Sequence, residues 1–338
     1  MTPHTPSTGR PANPLGLVHR PRRLRRSPAM RRLVVETRVH AHNLVQPLFV
    51  REGISAPQQV NSMPGVVQHT RDSLRKAAHE AAAAGVGGLM LFGIPEEKDA
   101  LGTGALDPDG ILQQAVRDVV SEVGDALVVM TDVNLDEYTD HGHSGVLDAS
   151  GDVDNDASLV KFGEMAVVQA QAGSQLVAPS GMMDGQIGYM RSALDAAGFP
   201  HIPIMGYSAK YASSFYGPFR EAVNSSLKGN RKTYQQNPGN ARESLHEVAL
   251  DAAEGADMVM VKPITTYLDV VSAITELVNV PVAAYHVSGE YAMVEAAAAR
   301  GWIDRESAVV ETLTSIRRAG ASIILTYWAT EFATKLPA

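Results

Sequence analysis

Short apolar runs alternate with segments of helical periodicity from residue 44 to the end of the chain. Most runs are rich in Val, Ile, Leu and Met without strict polar alternation, which is typical of parallel strands buried on both faces. Eight such runs occur, at residues 44–50, 88–94, 127–133, 175–180, 202–210, 258–262, 280–287 and 322–328. An eightfold β/α alternation at this length predicts an α/β protein whose strands close into a (β/α)8 TIM barrel.

The helical segments between the runs carry start and stop signals. Asp107 and Pro108 predict a helix from there to about Val123, because they supply a cap and a first-turn proline. Asn240 and Glu243 have the spacing of a capping box. The other predicted helices span 29–37, 72–84, 156–172, 186–197, 267–278, 291–299 and 306–319. A doubly wound open sheet would show the same alternation, but no glycine-rich phosphate-binding motif follows a strand, which favours the barrel.

Composition narrows the class of protein. The 338 residues, of which 45% are hydrophobic and 20% charged, describe a globular protein with a large core. No apolar stretch approaches the ~18 to 20 residues of a membrane span, so no membrane partner is expected. The count of 0 cysteines excludes disulfides and thiolate metal sites and is compatible with a reducing compartment. We therefore expect a cytoplasmic protein.

The first 40 residues differ in charge from the rest of the chain. Between Arg10 and Arg38 there are nine arginines and a single acid, Glu36, whereas the net charge of the whole chain is −8. Transit peptides and nucleic-acid-binding segments share such a start, but the many prolines oppose the amphipathic helix of a transit peptide. We interpret residues 1–40 as a basic arm, loose at its tip, that packs on the acidic body of a neighbouring subunit, and residues 41–338 as the catalytic barrel.

Two lysines stand at the ends of predicted strands. Lys262, followed by Pro263, ends one apolar run, and Lys210 ends another. A lysine at the rim of a packed core either finds a charged partner or has its pKa lowered until the neutral amine can form a Schiff base with a ketone. A lone lysine would be read as a snorkelling or ion-paired residue. Two at adjoining strand ends predict a site in which Lys262 forms the imine and Lys210 tunes it or relays protons.

The segment 211–236 is too long and polar for an ordinary turn and is predicted to cover the barrel mouth as a lid. It carries Arg220 and Arg231, whose guanidinium groups suit a substrate carboxylate. A similar basic and aromatic mixture occurs in binders of single-stranded nucleic acid and in solvated loops. Its position after Lys210 favours the carboxylate. The polar residues at or just beyond the predicted strand ends are Asp132, Ser180, Tyr207, Lys210, Lys262, Ser288 and Tyr327.

Two acidic groups are candidate metal sites. The loop 132–144 holds four acids and two histidines, which fits a hard-metal site and fits a polar, turn-rich loop equally well. Glu247 and Asp251 lie one turn apart on a predicted helix, where like charges repel mildly unless a cation joins them. From the residues alone, a solvated acidic edge is the favoured interpretation of that pair.

Four stretches of sequence are specific to one family. They read YSAKYASSFYGPFR at 207–220, MVMVKP at 258–263, YHVSGEY at 285–291, and RRAG at 317–320 with LTY at 325–327. After the arm, the chain resembles the porphobilinogen synthases, or δ-aminolevulinic acid dehydratases, over essentially its whole length. The resemblance implies a TIM barrel in a homo-octamer or smaller homo-oligomer. It also implies that two 5-aminolevulinate molecules condense into porphobilinogen with loss of two waters, in heme biosynthesis, without an organic cofactor.

The resemblance also implies roles for individual residues. Lys262 would form the Schiff base, Lys210 would be the second essential lysine, and Asp132 would assist proton transfer. Six further residues are expected to bind substrate: two arginines for the carboxylate of one molecule, a serine and a tyrosine for that of the other, and two aromatic residues in the pocket. They are, in that order, Arg220, Arg231, Ser288, Tyr327, Tyr207 and Phe215.

The chain departs from the family at its metal positions. Many relatives bind zinc through three cysteines after the third strand, and a thiolate zinc is excluded here. The three positions read Asn134, Asp136 and Ser144. Magnesium-responsive relatives keep an acid pair that matches Glu247 and, more weakly, Asp251. Because they also carry an acid where this chain has Gly181, magnesium stays an open expectation.

Three other functions agree with parts of the sequence. Another Schiff-base barrel, such as a class I aldolase, would need a phosphate site after the last two strands, and none is evident. A non-catalytic barrel scaffold would not need both lysines and both lid arginines. A nucleic-acid binder built on the arm would bind with a steep dependence on salt, and we expect no nucleic-acid partner.

Overall fold

Within the described residues, the N-terminal unit of the structure contains two short helices. The structure, a computed structural model, describes residues 16–17 and 19–336 and divides into units 1–38 and 39–338. In the first unit a 3₁₀ helix, Pro21–Arg25, precedes helix α1, Pro28–Val34. The predicted loose tip of the arm lies outside the described residues.

Helix α1 begins and ends on local signals. Ser27 caps it by accepting a hydrogen bond from the Met30 N–H at 3.2 Å. The helix predicted at 29–37 ends earlier, because Val35 has an extended backbone.

The second unit contains one sheet of ten strands within the described residues. In chain order they are β1 Leu44–Arg51, β2 Gln58–Gln59, β3 Val67–His69, β4 Gly88–Ile94, β5 Val128–Val133, β6 Leu176–Pro179, β7 Met205–Lys210, β8 Met258–Lys262, β9 Val282–Tyr285 and β10 Ile323–Leu325. Eight of them follow the order β6-β5-β4-β1-β10-β9-β8-β7, and their ladders are parallel. A parallel bridge between Val177 and Ile204 joins the two ends of this order. The predicted eight-stranded barrel is therefore confirmed.

Helices connect the strands and cover the barrel from outside. They are α2 Arg71–Ala83, α3 Ile111–Val123, α4 Asn155–Ala172, α5 Gln186–Ala196, α6 Gly217–Ala222, α7 Ala241–Glu254, α8 Leu268–Leu277, α9 Ser288–Ala299, α10 Arg305–Arg318 and α11 Ala329–Ala333. Thr70, Asp154 and Asp304 cap α2, α4 and α10 through side-chain oxygens. Within the residues that the structure describes, no helix combines the length and apolar character that crossing a membrane requires.

Three local predictions were wrong. Helix α3 begins at Ile111, because Asp107 accepts the N–H of Asp109 at 2.9 Å and caps a turn instead. The predicted capping box does not form, because the Asn240 amide bonds the Glu243 carboxylate at 2.7 Å and caps no backbone N–H. Strand β10 ends before the predicted limit of 322–328, which leaves Tyr327 in the following turn. The sequence analysis also missed α6, α11 and the short β2–β3 hairpin.

The strand register brings the two lysines together. Lys210 and Lys262 are Cα partners at the last paired position of β7 and β8. Because parallel strands end on the same side of a barrel, the two side chains share its carboxyl end.

Candidate active site

A cavity of about 700 Å³ opens at the carboxyl end of the barrel. The strand ends contribute Ser180, Lys210 and Lys262 to its wall, and the segment 211–236 contributes residues from Ala212 to Gln235. Its size suits small organic molecules. The predicted lid is thus part of the cavity wall.

Lys262 is enclosed by aromatic rings. Its Nζ lies 4.1 Å from the ring centroid of Tyr285, 5.0 Å from that of Tyr207 and 5.3 Å from that of Phe219. Ring faces attract a cation but replace water only in part. Burial, and after it the positive charge of Lys210, therefore lower the pKa of Lys262 to about 7. A large share of Lys262 is a neutral amine at neutral pH.

Lys210 keeps its proton more readily than Lys262. Its Nζ donates a hydrogen bond to the backbone carbonyl of Ser180. Burial lowers the pKa of Lys210 to about 8, and the carboxylate of Asp136 opposes that shift. The pKa of Lys210 is therefore the higher of the two, and Lys262 is the amine that loses its proton more readily.

Asp132 lies near the end of β5, and only one of its two carboxyl oxygens accepts a hydrogen bond within the described residues. Its Oδ2 accepts a hydrogen bond from the Ser180 hydroxyl at 3.0 Å, and that hydroxyl accepts one from the Asn134 amide at 2.6 Å. Its buried Oδ1 has no partner among the described residues. Burial raises the pKa of Asp132 to about 6, against the charges of Lys210 and Lys262. A carboxyl with that pKa can accept and return a proton near neutral pH.

Arg231 is held by a protein carboxylate. It donates to Asp136 Oδ2 at 2.6 Å and to the Gly142 carbonyl at 2.9 Å. Burial raises the pKa of Asp136, but the charge and hydrogen bond of Arg231, a hydrogen bond with Glu137 and the charge of Lys210 together outweigh burial and lower this pKa to about 2. The Nε of Arg231 has no partner among the described residues, so this donor can still bind a further acceptor. Arg220, by contrast, is exposed and lines the cavity from α6.

Three of the six predicted substrate-binding residues lie outside the cavity wall, namely Tyr207 and two residues that contact protein groups. The Ser288 hydroxyl accepts the Phe219 N–H at 2.9 Å and donates to the Phe215 carbonyl at 3.3 Å. The hydroxyl of Tyr327 lies 3.4 Å from that of Tyr285. Both side chains are buried. A substrate carboxylate could reach them only by exchanging these contacts.

The sequence analysis gave no site role to several residues of the cavity wall, among them Glu137, Tyr216 and Gln235. Glu137 is buried, and burial together with the charge of Asp136 raises its pKa well above the ordinary value. The Tyr216 hydroxyl donates to the Lys262 carbonyl at 3.2 Å. The loop 132–144 was noticed for its four acids, one of which is Glu137. An irregular loop has no periodicity, however, so the sequence does not indicate which of its residues face the cavity.

The three positions where relatives carry zinc-binding cysteines do not form a metal site here. Asn134 bonds Ser180, Asp136 bonds Arg231, and the buried Ser144 hydroxyl has no partner among the described residues. In the described part of the chain, no three His, Asp or Glu side chains are arranged to hold a metal ion. The hard-metal interpretation of the loop 132–144 therefore gains no support.

The acid pair considered for magnesium lies on α7. Burial and the charge of Asp184 raise the pKa of the half-buried Glu247. Burial raises the pKa of Asp251 to about 7. A Cβ at Gly181 would lie 2.3 Å from the ring of Phe162, so this ring fills the space that a third acid would need. These residues do not fit a carboxylate cage around magnesium.

We expect Gly181→Ala to lower the free energy of unfolding by about 1–3 kcal/mol, because the added methyl overpacks the Phe162 ring. The cost should be smaller in a Phe162→Leu background, where the ring is gone. Urea unfolding of the four proteins of this cycle measures both costs. Equal costs in the two backgrounds would contradict the overlap.

Comparisons with known proteins identify relatives over nearly the whole chain. The family model described as delta-aminolevulinic acid dehydratase matches residues 18–335. The delta-aminolevulinic acid dehydratase of Streptomyces coelicolor is 65% identical over 319 residues, which cover 94% of this chain and 97% of that protein. The one of Escherichia coli is 49% identical over 319 residues, or 94% and 98% of the two chains.

Solved structures give the same result. A crystal structure of delta-aminolevulinic acid dehydratase (porphobilinogen synthase) from Toxoplasma gondii, in complex with the reaction product porphobilinogen, matches with a TM-score of 0.92 and 43% identity. The match covers 95% of this chain and 92% of that one. The similarity therefore includes the barrel and every segment that lines the cavity.

Proposed function

This chain belongs to the delta-aminolevulinic acid dehydratase family, and we propose that it condenses two molecules of 5-aminolevulinate into porphobilinogen with release of two waters. The observation that carries the proposal is the pair of buried lysines at adjoining strand ends, one with a pKa of about 7. A ketone substrate needs such a neutral amine to form an imine. The reaction is a lyase step of tetrapyrrole (heme) biosynthesis.

The lysines and Asp132 divide the proton transfers between them. The neutral Nζ of Lys262 attacks the ketone carbon, and the resulting C–OH bond breaks as the oxygen takes a proton from Lys210 and leaves as water. The imine then acidifies the neighbouring C–H bonds. The carboxylate of Asp132, with a pKa of about 6, accepts a proton from carbon and returns it later in the sequence. The carbon made nucleophilic in this way attacks the ketone of the second molecule, whose oxygen leaves as the second water. The amino group of that molecule adds to the imine carbon and displaces the Nζ of Lys262, which frees the lysine.

Arg220 and Arg231 are proposed to bind the carboxylate of one substrate molecule. The exposed guanidinium of Arg220 at the cavity wall supports this role. The unpartnered Nε of Arg231 supports it as well. Arg231 already donates to Asp136 from another nitrogen. A substrate carboxylate that binds the Nε of Arg231 would therefore add to the ion pair with Asp136 and need not displace it.

The other carboxylate is assigned to Ser288 and Tyr327, with Tyr207 and Phe215 in the pocket. Phe215 lines the cavity. The ring centroid of Tyr207 lies 5.0 Å from the Nζ of Lys262 and 5.7 Å from that of Lys210, so this residue borders both amines. Ser288 would have to exchange its bonds to the lid backbone for bonds to substrate, which couples binding at this subsite to the position of the lid.

The proposed chemistry takes no step through a metal or an organic cofactor. A thiolate zinc is excluded because the chain has 0 cysteines. Magnesium at Glu247 and Asp251 stays a prediction that the geometry does not favour. Activity after exhaustive chelation, with and without added magnesium, tests it.

Self-association is proposed as a homo-octamer or a smaller homo-oligomer, in which the basic arm packs on an acidic neighbour. Nine arginines in the arm and a net charge of −8 for the whole chain support an electrostatic contact. Deleting residues 1 to 38 is expected to lower the oligomer size, as measured by light scattering on a sizing column. An unchanged size would show that the arm is dispensable for assembly.

The proposed compartment is the cytoplasm, and no nucleic acid or membrane is proposed as a partner. Cell fractionation followed by detection of the chain tests the compartment. Binding to DNA or RNA that weakens steeply with salt would contradict the partner assignment.

The proposed reaction is tested by incubating the purified chain with 5-aminolevulinate and measuring substrate and product by mass spectrometry. We expect one porphobilinogen for each pair of substrate molecules consumed. Turnover of another ketone without porphobilinogen would favour a different Schiff-base barrel. Consumption of no substrate, with intact folding, would favour the scaffold.

A further inference from the structure

The short lid helix α6 ends sharply beside the cavity. It carries Phe219 and Arg220 in the cavity wall. Just after it, Asn224 has a φ of 49°, a left-handed conformation that asparagine tolerates better than most residues. The Ser225 N–H bonds the Arg220 carbonyl at 2.8 Å, and the Asn224 N–H bonds the Glu221 carbonyl at 3.1 Å. These two bonds form a Schellman motif, which stops the helix.

Side chains of the barrel donate hydrogen bonds to the backbone carbonyls near the end of α6 that the Schellman motif does not use. Lys98, in the loop after β4, donates from Nζ to the carbonyls of Val223 at 3.2 Å and Asn224 at 2.9 Å. Gln68 on β3 donates its amide to the Ala222 carbonyl at 2.8 Å and to Asn224 Oδ1 at 3.1 Å. Carbonyls at a helix end need such external donors. The two side chains supply them from two different segments.

A third contact holds the same end of α6 through a different segment, the loop that contains Asn61 and Ser62. The Glu221 carboxylate accepts the N–H groups of Asn61 at 2.8 Å and Ser62 at 3.1 Å, and it also accepts the Ser62 hydroxyl. We name the contacts of Lys98, Gln68 and Glu221 the α6 latch. An isolated helix of 6 residues is not stable in water, so the position of α6 depends on such tertiary contacts.

We propose that the α6 latch positions Arg220 for the substrate carboxylate. Lys98, Gln68 and Glu221 lie outside the cavity wall, so they do not touch a substrate bound in the cavity. The latch fixes one end of α6, while the bonds of Ser288 to Phe215 and Phe219 fix the other. The guanidinium of Arg220 is therefore held in one position relative to the bound substrate. This inference rests on the proposed function for the identity of the ligand.

Lys98→Met tests the latch, because methionine keeps the length of the side chain but removes its donors. We expect KM for 5-aminolevulinate to rise about tenfold while kcat changes less than about twofold, since a charged hydrogen-bond donor that orients a binding group is lost. Lys98→Arg, which keeps charge and donors, should restore most of the affinity. Lys161→Met, which removes an exposed ion pair on α4, is the matched control and should change neither constant.

Trypsin cleavage in the lid gives a readout that needs no substrate. Cleavage after Lys228 and Arg231 should be at least about threefold faster in Lys98→Met than in wild type, because freeing α6 exposes the segment behind it. If wild type makes no porphobilinogen, the proposed function fails and the cleavage rates alone decide the latch. Wild-type KM together with a wild-type cleavage rate in Lys98→Met would overturn it. A fall in kcat with an unchanged KM would overturn it as well.

A backbone variant decides the question if Lys98→Met does not fold. Asn224→Ala places a less tolerant residue at a φ of 49° and removes the acceptor for Gln68, whereas Asn224→Gly keeps the left-handed turn. We expect Asn224→Ala to raise KM and speed cleavage more than Asn224→Gly does. Equal behaviour of both variants and wild type would overturn the latch.

Discussion

Replacing Lys262 with methionine is expected to abolish covalent capture of 5-aminolevulinate and to lower kcat by at least about 10⁴-fold, because the intermediate itself cannot form. Borohydride reduction of the enzyme–substrate mixture, followed by intact mass and peptide mapping, measures the capture. Wild type should show one reduced adduct per chain, located on Lys262. The adduct should form in the presence of chelator, since the amine needs no metal to attack a ketone.

A measurement of stability distinguishes the loss of imine formation in Lys262→Met from a folding defect. Lys262 is 5% exposed, and burial disfavours its charged form. Methionine carries no charge that must be desolvated, so Lys262→Met should be at least as stable as wild type in urea. An adduct that persists in Lys262→Met, or that maps to Lys210 in wild type, would contradict the assignment of the nucleophile.

Replacing Lys210 with methionine is expected to move the pH dependence of imine capture to higher pH. After burial, the positive charge of Lys210 is the next cause of the low pKa of Lys262, which is about 7. Without that charge the pKa of Lys262 rises, so a smaller fraction of the amine is neutral at pH 7. Capture at high pH should approach the wild-type level. Turnover should still fall by about 10²–10⁴-fold, because a general acid is missing.

The sign of the linked stability effect follows from the same pKa values. Between about 7 and the ordinary value of 10.5, the unfolded chain binds the Lys262 proton and the folded chain does not. Wild type therefore gains stability from this group as pH rises through that window. In Lys210→Met the window of Lys262 is narrower, and the gain that Lys210 itself contributes between about 8 and 10.5 is lost as well, so the total gain is smaller. Urea unfolding of both proteins at several pH values measures the difference, and a larger gain in the variant would contradict the coupling.

The strand pattern predicted the barrel well, because a strand that is buried on both faces has a continuous apolar run that is easy to recognise in the sequence. The runs at 88–94 and 258–262 match β4 and β8 at both ends. Boundaries failed where a polar side chain had two local partners to choose from. Asp107 bonds a turn N–H rather than a helix N–H, and Asn240 bonds a side chain rather than the backbone. Sequence spacing does not distinguish these options, since their energies are similar.

The two lysines of the candidate site were predictable from the sequence, and the contacts that support them were less so. Lys210 and Lys262 follow from the rule that barrel chemistry lies at strand ends. The pairing of Arg231 with Asp136 joins residues 95 positions apart, and no periodicity links them. The bonds of Ser288 to the lid backbone have the same character. The substrate-binding roles of these residues stay predictions until variants are measured.

By itself, the sequence determined the eight-stranded barrel and the two lysines, because apolar periodicity and strand-end position are properties of short segments. The specific stretches around those lysines identified the family. Only the tertiary structure decided which side chains meet. It placed Lys210 beside Lys262, filled the space at Gly181 with the ring of Phe162, and tied α6 to Lys98. The physical reason is that pKa values, packing and anchoring depend on distances between segments far apart in the chain. Those distances exist only once the barrel has closed.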